Sequence, residues 1–147
     1  MHNNNLKILN QFFGGIFGGT ILGLFGLGSF MNYGGNHGCF AWIDSFIGSV
    51  GYESCGAFGS VAGLLIGVLL GIIIIRALNI KKPQRLALFL ILGSFVIPFV
   101  CASTLLWPEK QLFSSLFPPI FAFIFASFVI SSIMTPIINW RELSKKK

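Results

Sequence analysis

Five side chains able to do chemistry fall between positions 37 and 55: His37, Cys39, Asp44, Glu53 and Cys55, all within the polar stretch NYGGNHGCFAWIDSFIGSVGYESCG, residues 32–56. Imidazole, thiolate and carboxylate are zinc ligand types, so His37, Cys39 and Cys55, with Glu53 beside them, could hold a metal ion. The spacing argues for something plainer. A His-x-Cys and one distant cysteine lack the paired Cys-x-x-Cys that makes metal or thiol-redox chemistry specific. The same two cysteines could instead form a disulfide worth about 3 kcal/mol in the chain-entropy model, if they face an oxidising compartment. They could also remain free thiols. Asp44, Glu53 and His37 show no spacing of a catalytic acid and base, and no nucleophile stands beside a stabilising group elsewhere. The expectation is a protein that is not an enzyme and needs no cofactor.

The elements that would position this loop are set by composition. Of 147 residues, 54% are hydrophobic and only 10% charged, with a mean hydropathy of +0.84, outside the range of soluble domains. Four runs free of Asp, Glu, Lys, Arg and His span residues 12–31, 57–75, 86–106 and 119–138. Each approaches the roughly 20 apolar residues a helix needs to cross the hydrocarbon of a bilayer. Read at a period of 3.6 residues they show no polar face, as a soluble bundle would require. The expected fold is therefore an all-α integral membrane protein, one domain of four transmembrane helices. The first run is too long for the apolar region of a secretory signal and is expected to stay as an anchor.

Charge orients the spans. Lys7, Arg76, Lys81, Lys82, Arg85, Arg141, Lys145, Lys146 and Lys147 fall on one side, and only Lys110 on the other. With the acids Asp44, Glu53 and Glu109 opposite and Glu142 joining the basic side, the two sides carry +8 and −2 of the net +6. The positive-inside rule then makes both termini, the 76–85 loop and the 139–147 tail cytoplasmic, and leaves the 32–56 loop outside. Trp42 and Trp107 would lie at the outer interface and Trp140 at the inner one. A membrane explains the basic balance without nucleic acid. Within the outer loop, Phe40, Ile43, Phe46, Ile47 and Val50 recur at helical spacing, which predicts a short amphipathic helix lying on the interface between the two cysteines.

Glycine marks the contacts between spans. The second run carries Gly59, Gly63, Gly67 and Gly71 at four-residue spacing, and the first carries Gly15, Gly19 and Gly23, with Gly14 and Gly18 beside them. Lipid-embedded helices associate by close packing, which small residues permit. The two rows predict an antiparallel hairpin of the first two spans, glycine face to glycine face. The Gly14 and Gly18 edge beside them is either taken up by the hairpin itself or left over for a partner, another membrane protein or a second copy. In the third span Pro98 removes a backbone bond and predicts a kink. The fourth span is expected to begin at Pro118-Pro119, since proline suits a first turn. Its Ser127, Ser131 and Thr135, again four apart, would either hold helices together or line a pore.

These readings point to a non-catalytic accessory, assembly or stabilising subunit of a membrane complex. The alternative is a homo-oligomeric channel or facilitator for a small solute. The spans lack ionisable residues, which speaks against proton-coupled transport and buried haem or pigment ligation.

Overall fold

The computed structural model describes residues 2–48, 51–78, 85–86, 88–93, 96 and 112–140, with side chains described from Leu6 onward and, in the last segment, from Ile120 onward. Pro98, Cys101, Trp107, the 141–147 tail and most of the third apolar run lie outside the described residues. All regular structure among the described residues is helical: α1 (His2–His37), α2 (Ala41–Ile47), α3 (Tyr52–Ala77) and α4 (Leu112–Ile138), with further helical residues at 88–93. α1, α3 and α4 each contain a stretch long and apolar enough to cross a membrane, as an integral membrane protein requires.

The helices outrun the apolar stretches that predict them. α1 has 36 residues, and at 1.5 Å per residue it is about 54 Å long, well beyond the hydrocarbon thickness. Nothing breaks it until Gly38, whose φ of 76° ends the helix in the left-handed conformation while its N–H donates to the Gly34 carbonyl. α2 ends the same way at Gly48, with an N–H to the Asp44 carbonyl. α4 begins at Leu112 and carries Pro118 and Pro119 inside it, instead of starting at that pair. Each proline removes one backbone donor, yet the chain stays helical through both.

α1 meets α3 along most of its length and α4 along part of it. Both pairs run antiparallel, because contacts that climb α1 descend the partner: Gly14, Gly18 and Gly26 lie opposite Gly71, Gly67 and Gly59, while Gly15, Gly19 and Gly23 lie opposite Ser131, Ser127 and Phe123. α3 and α4 therefore run the same way and end together, where the Arg76 guanidinium donates to the Ile138 carbonyl over 2.9 Å. Leu64, Val68 and Ile72 of α3 form the buried apolar core, packed against Phe123, Ala126, Ile130, Met134 and Ile138 of α4.

Candidate functional site

The first contact face is a row on α1 against a row on α3. A Cβ added to Gly59, Gly63, Gly67 or Gly71 would stand inside 3.0 Å of the backbone carbonyl of Gly26, Leu22, Gly18 or Gly14, respectively. A carbonyl fixed in a helix cannot move aside as a side chain can, so even a methyl at these positions would force the two helices to shift. Gly14 and Gly18 belong to this row. The edge that the sequence leaves undecided between hairpin and partner is thus filled by α3 of the same chain. The row continues to Gly34, where a Cβ would meet the Cys55 Cβ at 2.8 Å.

The second face, about 100° around α1, holds Gly15, Gly19 and Gly23. A Cβ on Gly19 would lie 2.7 Å from the Ser127 hydroxyl and 2.6 Å from Val68, and one on Gly23 would lie 2.9 Å from the Phe123 ring. Gly15 faces Ser131 and Ile72. Ser127 and Ser131 are fully buried and Thr135 nearly so. The Ser131 hydroxyl donates to the Phe12 carbonyl of α1 over 2.7 Å, and Thr20 donates to its own Ile16 carbonyl over 2.8 Å with Ser127 within 3.4 Å. In the single chain this hydroxyl series faces α1.

The series has a fourth member. Asn139 continues the spacing of Ser127, Ser131 and Thr135, and its Nδ2 donates to Gln11 Oε1 over 2.5 Å and to the Thr135 carbonyl over 2.9 Å. Asn10, Gln11 and Asn139 are all at most 1% exposed. They form a buried polar knot at the end that also carries Lys7 and Arg76. Sequence reasoning passes over these residues because they border the apolar runs and look like solvated flanks. The signal that finds Asn139 is its place in the four-residue series.

At the opposite end α2 is fastened to the bundle. Cys39 and Cys55 form a disulfide, with Cα atoms 5.5 Å apart, and Ile43 is buried beneath the loop. The buried Ser54 hydroxyl donates to the Asp44 carboxylate. The disulfide engages both sulfurs that a metal site would need. Among the described residues no three His, Cys, Asp or Glu side chains come together as a metal-holding group. His37 instead stacks on Tyr33, ring centroids 5.0 Å apart. Trp42 packs edge-on against Phe58 of α3 yet remains 61% exposed, and Phe46 is 87% exposed.

Compared with family models, with curated proteins and with solved structures, the chain matches none.

Proposed function

We propose that this protein is a small polytopic membrane protein acting as a non-catalytic accessory, assembly or stabilising subunit of a membrane complex, and that it docks through its outer cap, α2 and the turns beside it. The observation that carries this reading is the contrast between occupied and unoccupied surfaces. Both glycine edges of α1 and the hydroxyl series of α4 contact helices of the same chain. The cap, held by a disulfide and a buried Ile43, turns Trp42 and Phe46 outward on a fixed support. Large aromatic side chains on a rigid base are the anchors that dominate protein interfaces.

The membrane arrangement belongs to the same proposal. Because α3 and α4 run in the same direction, α3 ends at the opposite end of the bundle from the start of α4, which supports a fourth crossing. Helical residues 88–93 agree with this, with Leu90 buried and Gly93 against the Phe17 ring of α1. Lys7 and Arg76 share one end, while Asp44 and Glu53 share the other. The positive-inside rule makes the basic end, and with it both termini, cytoplasmic. Glycine packing of α1 on α3 would then hold the pair together by close backbone approach and Cα–H contacts to carbonyls. α2 would lie at the outer interface.

The test is native mass measurement after gentle solubilisation from the source membrane. Wild type should carry a heterologous partner that the W42A/F46A variant loses while the bundle stays folded. Recovery of the wild type as a monomer or a pure homo-oligomer would contradict the proposal, and solute flux through the reconstituted protein would replace it with the facilitator reading.

A further inference from the structure

Three buried side-chain oxygens among the described residues find no hydrogen-bond partner: Asn10 Oδ1, Thr135 Oγ1 and Asn139 Oδ1. All three lie at the basic end, Thr135 and Asn139 on α4 beside Gln11, and Asn10 on α1 in the position before Gln11. In hydrocarbon or protein interior an unmet polar group costs free energy, so such atoms point to something that meets them.

The geometry fixes what they need. Asn139 uses its Nδ2 to reach the Thr135 carbonyl, which can only accept, so the amide orientation is settled and Oδ1 is an acceptor facing elsewhere. Gln11 Oε1 accepts from the same Nδ2. Thr135 and Asn139 are four apart on α4, which brings their Cβ atoms within about 5–6 Å on one helix face. One molecule between them can meet Thr135 Oγ1 and Asn139 Oδ1 together. The occupant must donate. A metal cation would sit beside the Arg76 guanidinium on neighbouring Ile138, with Lys7 one turn before Gln11, so a neutral donor fits better.

We propose that Thr135, Asn139 and Gln11 form a buried hydration site, holding an ordered water that bridges α4 to α1 and enters from the basic end. A water with two to four polar partners is the usual occupant of such a site. The hydration stops one turn further in. Ser131 is already donating to the Phe12 carbonyl and closes against Gly15, and beyond Ser127 the Phe123 ring lies on Gly23. The proposed hydration is therefore confined to the buried turn from Thr135 to Asn139 at the basic end, and the seam is dry above Ser131.

Water-edited solid-state NMR of the full chain in lipid bilayers tests this. Polarisation from water should reach Thr135 and the Asn139 side chain several-fold faster than Val68, and Ser131 should build up more slowly than Thr135. N139L should slow the transfer to Thr135 to the Val68 rate. Wild-type Thr135 polarising as slowly as Val68 would overturn the proposal, and that measurement stands whether or not the variant folds. Equal rates along Ser127, Ser131 and Thr135 would overturn this confinement in favour of a continuous wet path. Thr135 still polarised in a folded N139L would remove Asn139 from the site. None of these outcomes depends on a partner, so they are independent of the docking proposal.

Discussion

The two seams of α1 do the same job with different chemistry. Against α3, glycine meets backbone: the helices approach until a carbonyl occupies the space of a missing Cβ at Gly63, Gly67 and Gly71. Against α4, glycine meets side chains: Ser127 and Ser131 hydroxyls, then the Phe123 ring, fill the room left at Gly19, Gly15 and Gly23. A backbone contact is rigid in both partners. A side-chain contact can shift by a rotamer, and it brings polar groups whose hydrogen bonds must be met. The first seam gives closeness without polarity, and the second introduces polar atoms and the unmet oxygens at Thr135 and Asn139.

Breaking the backbone seam should have the largest effect. Gly67→Leu sets a full side chain on the Gly18 carbonyl, and the folded α1–α3 pair should be lost, read as disappearance of the cooperative transition in thermal unfolding. Next comes the fastening at the α2 end of that seam: Cys39→Ser should cost about 3 kcal/mol in the chain-entropy model. Hydrogen exchange should localise this loss to α2 and the first turn of α3, leaving the α4 seam protected. Gly67→Ala adds only a methyl, but against backbone, and should cost about 1–3 kcal/mol as overpacking does. Ser131→Ala should cost less, about 0.6 kcal/mol, the average for interhelical hydroxyl bonds in membranes. The control is Gly28→Ala, which meets nothing within 4 Å and should be neutral or stabilise α1 by about 0.5–1 kcal/mol in the same unfolding assay. Equal costs for Gly67→Ala and Gly28→Ala would remove the distinction between the seams.

The sequence makes the helices and their membrane-crossing length legible because long apolar runs without charge have few other solutions. It makes the glycine rows visible as well, but not which neighbour each one meets. A row spaced by four drifts about 40° per step, and α1 has two such rows about 100° apart. Pairing Gly15, Gly19 and Gly23 with the α3 glycines is as good a pattern match as pairing Gly14 and Gly18 with them. The register is decided by bulk. α4 brings serines that fit the Gly15 and Gly19 hollows, which Ile72 and Val68 of α3 also line, and the glycine row of α3 takes the row that runs through Gly14, Gly18, Leu22 and Gly26. Helix ends are less legible, because α1 continues through Asn32 and Asn36 until Gly38 stops it, and composition alone assigns those residues to a loop. The polar knot is hidden in the sequence for a related reason. Asn10, Gln11 and Asn139 are polar residues at the margins of apolar runs, where solvation is the ordinary expectation, and only the packing of three helix ends buries them.

That both faces of α1 are closed within one chain is the claim on which the docking proposal stands. Thr20 and Ser127 hydroxyl oxygens lie 3.4 Å apart across the α4 seam, so a Thr20→Cys/Ser127→Cys variant made in a Cys101→Ala background places two thiols within reach of a disulfide. Oxidation in bilayers, followed by denaturing mass measurement, should give monomers that carry the new bond internally. Disulfide-linked dimers in place of those monomers would show that α4 meets the α1 of another molecule and would contradict the account.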